Sequence, residues 1–451
     1  MERVVIENAT IATVDEVDSE LPSGHVVVED RRIVAVGAGA APRFPDDIPA
    51  RRFDATGHLL TPGLVNTHHH FYQWVTRGLF PDATLFEWLV GLYPIWSSID
   101  EDVVYAAARG SISSLLLSGC TTAMDHHYIF PRAGGDLLGA EIRAARELGL
   151  RFHPTRGSMD RGESEGGLPP DFVVEAIPAI LEATQQAVET HHDPAPDSML
   201  RVGVAPCSPF SVSTDLLREA AALGRSLGVR LHTHGAETLD EERHCRDQFG
   251  MGPTDYLGSV GWLGDDVWMA HGVHLDDDDI VKFASTGTGV AHCPSSNARL
   301  GTGIARLPEM LAAGVPVGLG VDGTASNENG SLGAEMRAAL LFARARKGPD
   351  ALTVRQAMRL ATMDGARLLG RADDIGSVEV GKLADLALWR VDGAEHSSIG
   401  DKVAALVLGA LPPLGLLLVN GRTVVEHGHL TTADAADIAR DAARQARRLV
   451  G

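Results

Sequence analysis

The sequence predicts an α/β protein: a (β/α)8 TIM barrel carrying a small β-sandwich domain formed by both termini. Three observations predict it. Through residues 59–372 strand-like and helix-like segments alternate, and the strand-like ones number eight, the count of such a barrel. Both ends of the chain are instead runs of short β-branched segments divided by Asn, Gly and Asp. No G-x-G-x-x-G follows the first barrel strand and no Walker-type loop occurs, as an open doubly wound sheet often carries. The expected division is 1–58 for the N-terminal part of the sandwich, 59–372 for the barrel, and 373–451 for the C-terminal part with a closing helix.

Taken in order, "RVVIENATIATV", "GHVVVEDRRIVAVG" and "ARRFDATGHLLTPG" read as the N-terminal strands. The barrel strands are expected in "LLTPGLVNTH", "GCTTAMDHH", "LRFHPTRG", "LRVGVAPC", "VRLHTHGAE", "VWMAHGVH", "GTGVAHCPSSN" and "VPVGLGVDG". Helical patterns such as "DVVYAAARGSISSLLLSG", "DLLREAAALGRSLG" and "LPEMLAAG" lie between them. "GSVEVGKLADLALWRV" and "GLLLVNGRTVVEHGHL" return to strands, the second with an Asn420-Gly421 turn. "TTADAADIARDAARQARRLV" closes the chain as a helix with Arg in its last turns. "DDDD", Asp276 to Asp279, reads as a helix start rather than a calcium loop.

The net charge of -21 argues against nucleic acid as a partner and fits a small, neutral or weakly charged one. Cys120, Cys207, Cys245 and Cys293 are scattered, with no C-x-x-C pair, which points to reduced thiols in a cytoplasmic protein. No secretory signal opens the chain, and the apolar run "LPPLGLLLVNG" is too short to cross a bilayer, so no membrane partner is expected.

Metal-capable residues gather at the C-terminal ends of the predicted strands, where barrel active sites are built. His68 and His70 end strand one on one face, because side chains alternate. His234 ends strand five, His271 strand six and Asp322 strand eight. Imidazoles with one carboxylate suit a single divalent cation, Zn²⁺ or Fe²⁺, that makes a water acidic near neutral pH. Asp322 is placed to take the water's proton, Glu237 to protonate a substrate ring, and His274 to orient the water or polarise the target carbon. Each residue alone has a plainer reading, a structural pair, a strand end or a turn; their convergence on one mouth favours the cage.

His69 faces the other way and is expected to pack. His153 and His232 are expected to pack or to support ligands. His126 and His127 either reach substrate or are structural. Gln73, Trp74, His127 and Asn297 are the expected substrate contacts, with packing the alternative for Gln73 and Trp74. Cys293 lacks the partners of a nucleophile. The aromatic segment "LFPDATLFEWLVGLYPIW", residues 79–96, reads as a lid or pocket wall, or as a contact in a homo-oligomer.

"PGLVNTHHHFYQ", "LSGCTTAMDHHYIFP", "RGSM", "APCSPFSV", "LHTHGAETLDEE", "AHGVHL", "GVAHCPSSNARL", "GVDGTASN" and "GKLADLALW" together resemble the amidohydrolase superfamily, in particular its deaminases of aromatic nitrogen heterocycles. The resemblance covers nearly the whole chain and is strongest to 8-oxoguanine deaminases, with relatives acting on hydroxyatrazine-type s-triazines, isoxanthopterin and guanine. It implies a barrel with a flanking β-sandwich and one divalent metal, usually zinc, on His68, His70, His234, His271 and Asp322. It also implies proton transfer or water orientation by Glu237 and His274, and release of ammonia from the substrate ring. For 8-oxoguanine the product is uric acid. Gly235 stands where this branch is associated with Leu, which points to a looser pocket. A barrel that had lost its chemistry would lack part of this set, and no position is empty.

Overall fold

The computed structural model of the chain describes residues 3–43 and 49–451; residues 1–2 and 44–48 of the expected N-terminal part lie outside the description. Eight parallel strands stand side by side in chain order: β1 (Leu64–Asn66), β2 (Cys120–His127), β3 (Arg151–Ser158), β4 (Gly203–Pro206), β5 (Leu231–Gly235), β6 (Val267–His271), β7 (Gly289–His292) and β8 (Val317–Leu319). The ring shuts between β8 and β1. Thr67 gives both its N–H and its hydroxyl to Leu319 O, each at 2.9 Å. Just beyond, Asp322–Gly323 pairs in parallel with His69–His70. The protein is a (β/α)8 barrel, as the alternation predicts.

Helices cover the outside because the strands are apolar on that face. In β5, Leu231 belongs to the outer core, while His232 hydrogen-bonds inside the barrel. The barrel floor is plugged by Val65, Met124, Trp268 and Ala291 against Leu368, Ile375 and Leu383. Asp276 caps the helix Asp277–Thr286, accepting from Asp279 N at 2.9 Å, so the acidic run is the expected helix start. The closing helix Ala435–Val450 buries Ile438 and Ala442, and its Arg448 reaches Asp100 at 2.5 Å.

Both termini build one sheet of nine strands, with its own core of Val4, Ile6, Val26, Leu60, Leu388 and Leu416. His58–Pro62 joins the two ends by pairing antiparallel with Leu386–Arg390. The single strand expected over 59–68 is therefore two: His58–Pro62 in this sheet and β1 in the barrel. They are separated at Gly63, where a Cβ would sit 2.2 Å from the Thr121 side chain. The strand expected in "GSVEVGKLADLALWRV" starts only at Leu386, because Gly376 and Gly381 hold left-handed turns before it. Among the described residues, no helix is long and apolar enough to cross a membrane.

One buried ion pair fastens sheet to barrel. Arg151, opening β3, forks onto Asp385 at 3.0 and 2.9 Å, and both side chains are fully enclosed. Asp385 also accepts from Asn420 N at 2.7 Å. Removing the carboxylate leaves an uncompensated guanidinium in the core, a loss of about 3–5 kcal/mol. Asp385→Ala is thus expected to lower the thermal midpoint by far more than a surface substitution such as Asp392→Ala, measured by circular dichroism on both variants.

Candidate metal centre and active-site pocket

The strand ends bring His68, His70, His234, His271 and Asp322 together at the barrel mouth. Each ring is oriented by a bond on its far nitrogen. His70 Nδ1–H donates to His126 O at 2.7 Å, and His234 Nδ1–H to Cys207 O at 2.6 Å. His68 is held by a relay: His232 gives Nδ1–H to Trp268 O at 2.9 Å, so its Nε2 accepts from His68 Nδ1–H at 2.8 Å. The near nitrogens therefore present lone pairs to one point. His70 Nε2 and His234 Nε2 face each other at 3.3 Å, and Asp322 Oδ1 lies 3.2 and 3.3 Å from Nε2 of His68 and His70.

Two facing lone pairs repel unless a cation lies between them. His68 Nε2 is buried without a hydrogen-bond partner. Two overlapping groups, His68/His70/His126/His234 and His68/His271/Asp322, each keep their donor atoms within 4.8 Å of one another. This nitrogen-and-carboxylate set fits a divalent metal. His126 stacks on His234 at 4.9 Å and gives its Nε2–H to Ala205 O at 2.9 Å, so it lies against the cage from within the barrel.

Asp322 Oδ2 accepts from Ser296 Oγ at 2.6 Å and from Ser326 Oγ at 3.3 Å, and Oδ1 from Gly323 N at 2.7 Å. Burial presses its carboxyl upward, but the adjacent His68 and His70 rings outweigh it and hold the group well below the usual range. Glu237 is displaced the other way: burial first, then the charges of Asp322 and Glu241, push it well above the usual range. Its Oε2 lies 3.6 Å from His271 Nε2. One carboxyl held low and one pushed high in the same pocket is the arrangement of a base and an acid. His271 and Asp322 both hold left-handed backbone, φ 77° and 65°, a strain that clusters at functional sites.

Above the cage opens a pocket of about 580 Å³ including its mouth. The helix Leu85–Trp96 forms one wall with Leu85, Phe86, Trp88, Leu89 and Tyr93, so the aromatic segment is a pocket wall. Tyr128, Phe210 and Leu300 complete the apolar lining. Gln73 reaches in from the turn Phe71–Thr76, its amide oxygen buried without a partner.

Residues 59–445 match the Amidohydrolase family. The chain belongs to that family. This amidohydrolase is 43% identical to the 8-oxoguanine deaminase of Pseudomonas aeruginosa PAO1 over 100% of both chains. It is 38% identical to the hydroxydechloroatrazine ethylaminohydrolase of Pseudomonas sp. strain ADP, over 86% of this chain and 82% of that one. Among solved structures, an atrazine chlorohydrolase from Arthrobacter aurescens TC1 complexed with zinc superimposes with a TM-score of 0.93 at 32% identity, covering 98% of this chain and 100% of that one. The protein is a hydrolase of carbon–nitrogen bonds.

Several expected site residues take other places in the amidohydrolase. His274 gives its Nε2–H to Thr302 O at 2.8 Å and is not in the pocket wall, because left-handed His271 and Gly272 turn the chain away. Trp74 packs on Gly110, where a Cβ would meet its Nε1 at 2.3 Å, and the Arg77 guanidinium lies 4.1 Å over it. His127 has both ring nitrogens engaged, with Glu141 Oε1 and Ile129 O at 2.8 Å each. Asn297 sits behind His271, its amide 3.0 Å from Nδ1. This amide engages Nδ1, so Nε2 is the ring nitrogen that faces Glu237 and the cage. Gly235 faces outward, where a Cβ would meet Met269 Sδ at 2.7 Å, so it does not shape the pocket.

Sequence reasoning missed Glu241. Its carboxylate accepts Ala236 N and Glu237 N, both at 2.9 Å, and so fixes the turn that presents Glu237. The T-x-x-E spacing of Thr238 and Glu241 is its signal, that of a capping box whose acid reaches one residue further back. Ser296 and Ser326, which hold Asp322, carry no such pattern.

Two outcomes follow from these positions. Gly235→Ala is expected to lower the thermal midpoint and leave KM unaltered, checked by calorimetry and steady-state rates. Burial holds His234 at about 3 and His271 at about 4, against the ordinary 6.5. The unfolded chain thus binds protons that the folded one refuses, so stability is full above about pH 6.5 and falls as pH drops towards 4. Urea midpoints of metal-free protein between pH 8 and 4 should show that decline, and added zinc should reduce it.

Proposed function

We propose that the chain is a zinc-dependent aminohydrolase that converts 8-oxoguanine and water to uric acid and ammonia. The observation that carries this reading is the histidine–aspartate cage set beside the buried Glu237, whose carboxyl burial pushes well above the usual range, at the floor of an aromatic pocket. The choice of ring rests on the 43% identity with the Pseudomonas 8-oxoguanine deaminase along the full chain. We assign His68, His70, His234, His271 and Asp322 to the metal. The four cysteines are unpaired and buried, in keeping with a cytoplasmic enzyme.

His68, His70, His234, His271 and Asp322 would hold a zinc ion, which would supply Lewis acidity that brings a water's pKa to about 7. Asp322, held by Ser296 and Ser326, accepts a proton from the attacking water. Glu237 donates its proton to the ring nitrogen beside the amino-bearing carbon and makes that carbon electrophilic. The water oxygen bonds to the carbon. Asp322 returns its proton to the amino nitrogen, the carbon–nitrogen bond breaks, the remaining hydroxyl proton passes to Glu237, and ammonia leaves with a carbonyl in its place. Gln73 accepts an N–H of the ring through its free amide oxygen, while Trp88, Tyr93 and Phe86 enclose the flat faces and exclude bulk water.

Ammonia release from 8-oxoguanine, guanine, isoxanthopterin and hydroxyatrazine tests the assignment, with metal content measured on the same batch. The highest kcat/KM is expected on 8-oxoguanine with one zinc per chain; a higher value on hydroxyatrazine would reassign the ring and keep the chemistry. Asp322→Asn is expected to lower turnover by about 10²–10⁴-fold. Glu237→Gln should lose a similar factor while keeping its zinc, as elemental analysis will show.

A further inference from the structure

Behind the cage, outside the barrel wall, lies a second group of ionisable residues that the reaction does not use. Asp125 and His127 alternate on the outer face of β2, and Glu141 meets them from the helix Leu137–Leu148. All three are 0 % exposed. His127 Nδ1 is 2.8 Å from Glu141 Oε1, and its Nε2 is 2.8 Å from Ile129 O. The Asp125 and Glu141 carboxyls are within hydrogen-bonding reach of each other, and each presents one buried oxygen, Oδ2 and Oε2, with no other partner.

The hydrogen-bond count fixes the proton inventory. One proton must lie between the two carboxyls, or two buried anionic oxygens would face each other. One more must lie between His127 and Glu141, because His127 Nε2 already donates to Ile129. Whichever atoms hold them, the cluster is neutral and each of its close contacts is satisfied. A neutral, fully bonded cluster is a rigid one.

That rigidity is delivered to one cage ligand. Asp125 Oδ1 accepts from Phe71 N at 2.5 Å, and the next residue's carbonyl, His126 O, accepts from His70 Nδ1–H at 2.7 Å. The backbone just after His70 and the ring of His70 are thus both tied to the Asp125–His126 stretch. Glu141 and His127 hold that stretch from outside.

We propose that Asp125, His127 and Glu141 are positioning residues for the metal centre, a buried brace that aims His70 Nε2 at the cation. The inference rests on the metal assignment above. Outer partners of metal-bound histidines are worth about 10–100-fold in metal affinity, and the loss of this brace should read at that level.

Zinc affinity by competition with a chromogenic chelator tests it without reference to substrate. Asp125→Ala and Glu141→Leu are expected to weaken zinc binding by about 10–100-fold. Asp125→Asn and Glu141→Gln keep an acceptor for Phe71 N–H and a bond between the two side chains, and should stay within about threefold of the unsubstituted protein. Leu148→Ala, on the same helix, serves as the packing control: it should lower the thermal midpoint and leave zinc affinity alone. Equal weakening by the conservative and truncating variants, or by Leu148→Ala, overturns the proposal. So does unchanged affinity in Asp125→Ala and Glu141→Leu; should Asp125→Ala not fold, the Glu141 pair decides. Failure of the unsubstituted protein to bind zinc would instead overturn the metal assignment on which the brace depends.

Discussion

The site depends on where each imidazole spends its ring proton. Burial keeps the His68, His232 and His234 rings neutral, and a neutral ring has one donor and one acceptor. His70 and His234 spend the donor on carbonyls, and His68 spends it on His232, itself tied to Trp268 O. The acceptors are then left no choice of direction. The barrel backbone, through three carbonyls and one ring-to-ring relay, selects the tautomers that make a metal centre.

The same backbone explains why two carboxyls a few ångströms apart behave oppositely. Asp322 receives two serine hydroxyls and the Gly323 N–H, and the His68 and His70 rings lie 3.2 and 3.3 Å from its Oδ1. Glu237 has no comparable supply, and the helix-start donors nearest to it are consumed by Glu241. Proton affinity is thus set by which carboxyl receives the local N–H and O–H groups rather than by depth alone.

The barrel and the residues that reach its mouth were legible in the sequence because strand periodicity is a backbone property. A residue at a strand's C-terminal end arrives at the mouth whatever its neighbours are, and His68, His70, His234, His271 and Asp322 all obey that rule. His274, Trp74 and Asn297 lie past strand ends, where direction depends on turns and on packing partners far away in the chain, and His127 ends β2 on its outer face. Left-handed φ at His271, a non-glycine residue, redirects His274 and leaves no mark in composition. Trp74 is claimed by Gly110, and His127 by Glu141, across distances no local pattern records. The boundary between terminal sheet and barrel was hidden for a similar reason: two strands in different sheets run on as one apolar segment through Gly63.

The closure of the barrel has a consequence for how the protein comes to hold its metal. Thr67 and Leu319, which seal the ring, are 252 residues apart in the chain. His68 and Asp322 are brought together by that same seam. During synthesis the histidines of β1, β5 and β6 emerge long before the aspartate, and contacts of such separation form late. The five residues of the cage therefore stand together only once that seam has closed.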